Sequence, residues 1–240
     1  MTFKEILNFR RSVRVFDPDK DIDPKKIKLC LQQSILAPNS SNMQLWEFYH
    51  ITDKKKLEQL SAACFDQPAA KTAKQMVVFV VRRDLWKKRT QANLNFIQSS
   101  IKKKSKAELS EKEKFTLNYY KKLIPFIYVR TPAIIGQLKY LLFWITGFFR
   151  PVYRQVRKSD VRIIAHKSVG LAAQTFMLSM AEIGYDTCPM EGFDSLMIKK
   201  ILDLPGKAEI NMVVSCGIRL PEGVYGERFR IPFDEVYFNV

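Results

Sequence analysis

Two arginine-rich segments have the composition of a phosphate-binding site. Residues 10–14 read Arg-Arg-Ser-Val-Arg, and Arg228 and Arg230 alternate near the C-terminus. Guanidinium groups donate forked, charge-assisted hydrogen bonds, which suit a phosphate and a polarisable ring carbonyl. An exposed basic turn at 10–14 and a basic edge strand at 228–230 are the alternative interpretations.

Two further segments offer uncharged polar groups and close approach of the backbone. Segment 38–46 reads Pro-Asn-Ser-Ser-Asn-Met-Gln-Leu-Trp, and its amides and hydroxyls supply the donors and acceptors that a ribityl chain or a pyrimidine-like ring edge requires. Segment 189–192, Pro-Met-Glu-Gly, ends on a glycine, which lets backbone N–H groups approach a flat ligand because no Cβ intervenes. Each segment is also compatible with a simple turn.

Composition excludes several classes of protein and site. The chain has 240 residues, of which 47% are apolar, so it can bury a full core and is neither disordered nor a disulfide-stapled mini-protein. Its nine glycines form neither a Rossmann fingerprint nor a P-loop. Two histidines and four scattered cysteines lack zinc-site spacing, so we expect no metal. The net charge of +16 indicates an anionic partner.

The sequence predicts neither a leader peptide nor a membrane span. Charge is mixed into the first turn of the chain, so we expect a cytoplasmic protein with reduced thiols. The apolar run Leu141 to Phe149 lies between Lys139 and Arg150 and is far shorter than the roughly 20 residues that cross a bilayer. We favour a buried cap or a dimer contact for this run over contact with a membrane surface.

Periodicity and capping residues predict the elements that must position these segments. Helix starts are predicted at Thr2, Asp23, Asp53, Asp160 and Asp194. The helix that starts at Asp160 is expected to run to Ile183 and to end at Gly184. Strands are predicted at Leu45–Ile51, Met76–Val81 and Ile210–Ile218, the second of them buried on both faces because it is uninterruptedly apolar.

Two segments have no evident role in a small-molecule site. Between residues 83 and 130, thirteen Lys or Arg face four acidic residues, which is typical of two helices with a solvated basic face. Lysines such as Lys102, Lys103 and Lys104 also suit nucleic acid or an anionic membrane, an interpretation that we disfavour. The apolar tail 231–238 is expected to be extended and to pack on a distant surface or another subunit.

Taken in chain order, the motifs resemble those of the nitroreductase family of flavin enzymes. The motifs are Arg-Arg-Ser-x-Arg at 10–14, Ala-Pro-x-Ser-x-Asn-x-Gln-x-Trp at 37–46, Gln67, Pro-x-Glu-Gly-Phe at 189–193 and Arg-x-Arg-x-Pro at 228–232. The resemblance covers about residues 1–81 and 159–240. It implies one α+β domain over 1–240, with a central, mostly antiparallel sheet flanked by helices. It further implies a variable cap region at about 84–158 and an intertwined homodimer with FMN at the subunit interface.

The resemblance also implies roles for individual residues. Segments 10–12 and 228–230 would hold the phosphate and ribityl end of FMN, Arg14 and Gln67 would meet the ring edge, and segment 38–42 would come from the second subunit. The implied cofactor-binding residues are Arg10, Arg11, Ser12, Arg14, Pro38, Asn39, Ser40, Asn42, Gln67, Pro189, Met190, Glu191, Gly192, Arg228 and Arg230.

The implied activity is an FMN-dependent NAD(P)H oxidoreductase. Ping-pong turnover would pass a hydride through flavin N5 to nitroaromatic, quinone or related conjugated acceptors. The resemblance implies that the Glu191 backbone N–H is directed at N5. Ene reduction, reductive dehalogenation and flavin fragmentation are alternatives on the same fold. We expect the acceptor pocket to be roofed by the apolar side chains of Leu141, Phe143, Trp144, Phe148 and Phe149.

Overall fold

A four-stranded antiparallel sheet forms the centre of the molecule. The computed structural model describes residues 1–101, 108–129 and 133–240. The strands are β1 (Trp46–Ile51), β2 (Gln75–Val81), β3 (Asp186–Met190) and β4 (Glu209–Gly217), in the spatial order β1-β2-β4-β3. All three pairings are antiparallel. The α+β class and the antiparallel sheet are as the sequence predicts.

Helices cover both faces of this sheet. They are α1 (Phe3–Phe9), α2 (Pro24–Ser34), α3 (Lys54–Ala63), α4 (Pro68–Lys71), α5 (Trp86–Ile101), α6 (Glu111–Asn118), α7 (Ile124–Tyr128), α8 (Ala133–Thr146), α9 (Lys158–Glu182) and α10 (Ser195–Ile201). A single π-helical turn, Tyr119–Leu123, joins α6 to α7.

Strand β2 is buried on both faces, which explains its unbroken apolar sequence. Every residue of Gln75–Val81 is buried. Phe79 packs with the α9 residue Phe176 in the core on one face, whereas Val78 belongs to the core that α3 and α10 cover on the other face. Because alternate side chains of a strand point to opposite faces, both faces need apolar residues.

The capping residues confirm the predicted helix starts on either side of the sheet. The Thr2 side chain accepts a hydrogen bond from the Glu5 N–H in a reciprocal capping box, and Asp23, with proline at the next position, caps α2. Asp53 and Asp194 cap α3 and α10. The long helix α9 ends before Gly184, whose φ of 77° is the left-handed conformation that glycine tolerates best.

One strand and one detail of the tail differ from the prediction. Residues 186–190 form β3 at the edge of the sheet, where the sequence predicts no strand and where 189–192 is also compatible with a simple turn. Pro189 is tolerated because an edge strand leaves half of its N–H groups unpaired. The tail 231–238 is fully exposed and contains a short 3₁₀ turn at Phe233–Glu235.

The basic region and the apolar run are largely helical in the residues that the structure describes, and the apolar run leaves its helix after Thr146 and ends in a turn at 147–149. Helices α5 and α6 occupy the region for which two helices are predicted, and Lys102, Lys103 and Lys104 lie outside the described residues. Within residues 1–101, 108–129 and 133–240, no helix has the length and apolar character needed to cross a bilayer.

Candidate functional site

The N-terminal arginine segment lies against the exposed edge of β3. Ser12 forms a parallel bridge with Thr187, and the Val13 N–H donates to the Thr187 carbonyl over 3.1 Å. The Arg14 N–H donates to the Gly223 carbonyl over 2.6 Å. These bonds bring segment 10–14 beside Pro189 and Met190, the last residues of β3, so two of the predicted motifs share one end of the sheet.

Four guanidinium groups gather at this edge. The pKa of Arg10 is lowered, first by its partial burial and then by the positive charges of Arg228, Arg230 and Arg11. Among the residues that the structure describes, no ion pair involves any of the four. A cluster of like charges without carboxylate partners is the arrangement that a phosphate would stabilise, so the residues present fit that group.

Arg228 has a positioning role that the sequence does not reveal. Its guanidinium donates to the carbonyls of Leu7 over 3.0 Å, Asn8 over 3.1 Å and Arg10 over 2.7 Å. These carbonyls stand at the C-terminal end of α1, where a cation is favoured by the helix dipole. Arg228 therefore fixes the backbone of Arg10 while contributing its charge to the cluster.

Arg14 is oriented by a buried thiol. Its Nη1 donates to Cys188 Sγ over 3.5 Å, and Cys188 is fully buried in β3, one residue before Pro189. Burial raises the pKa of the Cys188 thiol, against the opposing influence of Arg14 and Arg10. The thiol therefore remains protonated at neutral pH and acts as a neutral acceptor.

Gln67 holds the loop that follows β3. Its Nε2 donates to the carbonyls of Gly192 over 2.8 Å and Cys64 over 3.0 Å. A Cβ on Gly192 would stand 3.3 Å from that nitrogen, so the glycine allows the close approach. Both of these bonds are donated by Nε2, and the contact of Gln67 with a ring edge stays a prediction.

The second polar segment forms a tight loop before β1. Ser41, Asn42 and Gln44 have φ values of 54°, 48° and 47°, a left-handed conformation that is uncommon for residues other than glycine. The Gln44 N–H donates to Asn39 Oδ1 over 2.9 Å, and the Ser40 N–H donates to Ser168 Oγ of α9 over 3.2 Å. This unusual backbone is thus held in place from two sides, as functional loops often are.

Side chains from the region between α5 and α7 complete the support of this loop. Asn42 Nδ2 donates to Asn93 Oδ1 over 2.9 Å, and Asn93 Nδ2 donates to the Asn42 carbonyl over the same distance. The Tyr119 hydroxyl lies 2.5 Å from Ser41 Oγ, and the Tyr120 hydroxyl donates to the Ser41 carbonyl over 2.9 Å. No local sequence signal identifies these partners, because they lie 51 to 79 positions away along the chain.

The two groups of predicted ligands belong to opposite edges of the sheet. The loop at 38–44 enters β1 on one edge, whereas segments 10–14 and 189–192 lie along β3 on the other. Three strand spacings of about 4.8 Å separate these edge strands. Within the described part of the chain, no hydrogen bond or ion pair joins the two groups.

Comparison with known proteins assigns the family. The family model described as the nitroreductase family matches residues 7–218, which is most of the chain. The chain belongs to the nitroreductase family.

Two relatives of this nitroreductase family member match along nearly its whole length. DrgA of Synechocystis is 26% identical over 225 residues, which cover 93% of this chain and 87% of DrgA. YdgI of Bacillus subtilis is 25% identical and carries a provisional name as an NAD(P)H nitroreductase, with 98% of this chain and 95% of YdgI covered.

Solved structures show that the nitroreductase fold is shared. The ydfN protein of Bacillus subtilis gives a TM-score of 0.72 at 22% identity, with 99% of this chain and 98% of that chain covered. A protein of Exiguobacterium sibiricum, solved in complex with FMN, gives 0.69 at 21% identity, with coverage of 100% and 98%. Both are provisionally named as nitroreductases.

The five side chains predicted to roof the acceptor pocket lie on and just after α8. Phe143 packs on Phe126 of α7 with ring centroids 6.3 Å apart, and Trp144 packs edge-on against Phe148 at 4.6 Å. Phe143 is partly covered, and the other four side chains are exposed on this chain. Their role as a roof stays a prediction.

Proposed function

We propose that the chain is an FMN-dependent NAD(P)H oxidoreductase that reduces nitroaromatic, quinone or related conjugated acceptors. The observation that carries the proposal is the cluster of Arg10, Arg11, Arg228 and Arg230, which has no carboxylate partner in the described residues and adjoins the Pro189–Gly192 segment. Membership of the nitroreductase family and the shared fold of an FMN-complexed neighbour support it.

Each residue of this edge has a task that follows from its contacts. The arginine cluster would bind the phosphate, and Arg14, oriented by Cys188, would place a positive charge where the ring gains negative charge on reduction. Gln67 would offer its carbonyl oxygen to the ring edge while it holds the Gly192 loop. Bound FMN would supply the hydride chemistry between NAD(P)H and the acceptor.

A homodimer would complete the site. In a two-fold dimer, the loop at 38–44 of one protomer can meet the arginine cluster of its partner, which joins the two half-sites that one chain keeps apart. The exposed apolar side chains of the tail, such as Phe233 and Phe238, support such an assembly because a monomer leaves them in water.

The acceptor would lie close to the loop at 38–44. An apolar groove beside this loop is lined by Phe115, Asn118, Tyr119, Lys122, Leu123 and Phe126. Tyr119 connects the groove to Ser41 through its hydroxyl. Phe143 reaches the groove through Phe126, which gives the predicted roof a physical connection to the acceptor.

The visible spectrum of the purified protein tests the proposal. We expect the oxidised flavin bands at about one FMN per chain and their bleaching on addition of NADPH or NADH without oxygen. Addition of a nitroaromatic or a quinone should restore the bands. A protein that remains colourless after incubation with FMN would refute the proposal.

A further inference from the structure

A second cavity, separate from both half-sites, lies among α5, α7, α8 and the start of α9. Its volume is about 750 Å³, within the range of roughly 300–1,000 Å³ that is typical of small-molecule sites. Trp86, Tyr128, Gly136, Ser159 and Lys207 are among its lining residues, and none of the predicted FMN ligands lines it. It is therefore distinct from the predicted flavin site.

The charge of this cavity is strongly positive. Five basic residues line it but only one acidic residue, Asp84. Asp84 is bound by Arg82, and the lining residue Arg83 is bound by Glu209, so these charges are already compensated. Among the described residues, no carboxylate lies within ion-pair distance of the remaining four lining cations, which are Lys87, Arg157, Lys158 and Lys207. Lys207 is near enough to Asp84 to contribute to the lowering of its pKa, and the Arg157 guanidinium lies 3.5 Å from the centre of the Tyr140 ring.

One wall of the cavity is aromatic. The rings of Trp86 and Tyr128 are stacked with centroids 6.3 Å apart and planes 21° from parallel. Lys87 Nζ lies 5.8 Å from the centre of the Trp86 ring, so cation and aromatic face already occur together. No hydrogen bond within the described part of the chain occupies the Tyr128 hydroxyl, and burial raises the pKa of Tyr128 to about 12, which keeps its proton available for donation.

We propose that this cavity binds an aromatic anion of mononucleotide size, with its ring against Trp86 and Tyr128 and its phosphates at Lys158 and Lys207. The aromatic wall of the cavity suits the ring of such a ligand, and the lining cations suit its phosphates. Aromatic faces attract a base in any orientation, and unpaired ammonium groups attract phosphate oxygens. A purely anionic ligand would leave the aromatic wall unused, and a neutral aromatic ligand would leave the excess of lining cations over lining carboxylates without an anion.

Calorimetric titration of the flavin-loaded full chain tests the proposal with three probes. ATP carries the ring and the charge, adenosine only the ring, and tripolyphosphate only the charge. We expect ATP to bind with a Kd below about 100 μM at 150 mM salt, and each of the other probes at least tenfold more weakly, because each loses one set of contacts. Equal affinity for ATP and tripolyphosphate, or no ATP binding up to about 1 mM, would overturn the proposal.

Variants locate the binding. The double substitution Lys158→Glu with Lys207→Glu should weaken ATP binding tenfold or more, whereas Lys54→Glu with Lys55→Glu, the same charge change on α3, should alter it less than threefold. Arg10→Gln in the flavin half-site should leave ATP affinity unchanged, which separates this site from the proposed function. ATP binding that the cavity variant leaves intact, or that Arg10→Gln abolishes, would contradict the assignment.

Discussion

Arg10, a proposed phosphate-binding residue, lies where its charge is unfavourable in the protein without a ligand. Its guanidinium is partly buried beside Arg11, Arg228 and Arg230, an arrangement that lowers its pKa and disfavours its charge until an anion arrives. The binding energy of a phosphate here includes the relief of that repulsion. Removal of Arg10 should therefore affect ligand binding and stability in opposite directions.

The first prediction concerns Arg10→Gln. We expect its affinity for FMN to fall by roughly 10- to 100-fold, because a charge-assisted hydrogen bond is worth about 1.5–3 kcal/mol. The FMN-free variant should unfold at the same or a higher temperature than FMN-free wild type. Quenching of FMN fluorescence and thermal unfolding measure the two quantities, with Lys25→Gln on α2 as the control. Reduced stability with unchanged FMN affinity would contradict the role assigned to Arg10.

Much of the site at this scale could be predicted from the sequence, but its supports could not. The motif residues were identifiable because several guanidiniums within five positions suit a phosphate whatever the fold. Cys188, Asn93 and Tyr119 have no such signal, since a buried thiol, an amide on a helix and a tyrosine in a π-helical turn acquire their roles only through long-range contacts. The bonds of Arg228 to the end of α1 span more than 200 positions.

At the scale of elements, the close approach of segment 13–16 to the residues after β4 positions Arg14. Gly223 accepts the Arg14 N–H, and a Cβ at Gly223 would stand 2.2 Å from the Val15 carbonyl oxygen. Backbone cannot yield as a flexible side chain can, so the whole segment would have to move. A single methyl group there should disturb the flavin half-site without touching a ligand residue.

The second prediction compares Gly223→Ala with Gly206→Ala. The former should lower the free energy of unfolding by about 1–3 kcal/mol and reduce FMN occupancy, since overpacking displaces the backbone of Arg14. The latter should be close to neutral, because nothing lies within 4 Å of a Cβ at Gly206. Chemical denaturation and the ratio of flavin to protein absorbance measure both effects. Equal behaviour of the two variants would disprove the packing argument.

The third prediction concerns Glu209, which ties the start of β4 to two other elements. Although burial opposes ionisation, hydrogen bonds from Arg83 and Arg162 lower the pKa of Glu209 to about 2, with His166 Nε2 3.4 Å away. A lowered folded-state pKa stabilises the protein above the ordinary value of 4.5, and this contribution is lost as the pH falls towards 2. Glu209→Gln should therefore cost roughly 1–3 kcal/mol near neutral pH and much less near pH 3. Urea unfolding at both pH values, with Glu58→Gln as the control, measures this difference, and a cost that is independent of pH would contradict it.

The fourth prediction concerns the α8 region. Trp144→Ala should change the ratio of kcat/KM between a small quinone and a larger nitroaromatic by about 3- to 10-fold, because a wall of the acceptor pocket is removed. Its FMN content should equal that of wild type and of Phe96→Ala, an exposed aromatic substitution on α5. Equal loss of every activity together with flavin would refute the predicted roof.

The sequence predicts the capped helices but not strand β3, and the reason is physical. Asp23 and Asp53 mark their helices because a cap is a local bond between neighbouring residues. Strand β3 was missed because five residues that contain a proline have no strand signal of their own, and only pairing with β4 makes them a strand. That strand carries half of the proposed flavin site, so the missed element is the one on which the proposed geometry depends.

At the scale of the whole molecule, two groups of basic residues contribute to the net charge of +16. The arginines at the β3 edge form the proposed site for the FMN phosphate, and the cations around the second cavity form the proposed site for another anion. Both depend on residues that are far apart in the sequence, such as Arg10 with Arg228 and Lys87 with Lys207. Net charge alone therefore predicts an anionic partner but not the number of sites.

The last prediction tests whether two chains build one flavin site. Arg10→Glu disables the arginine half-site, and Ser40→Phe should block the half-site at the loop, because a benzyl group would occupy the space at its surface. Each variant alone should be inactive. When the two are unfolded together and refolded in equal amounts, about half of the dimers should be mixed, each with one intact site of two, so activity should return to about a quarter of wild type.

A mixture of Arg10→Glu with Arg14→Glu is the matched control: both lesions lie in the same half-site, so every mixed dimer keeps two damaged sites and no activity should return. Absence of recovery in the first mixture, despite mixed dimers on native mass spectrometry, would mean that each chain carries its complete site. Recovery in the control would mean that Arg10 and Arg14 do not belong to the same half-site.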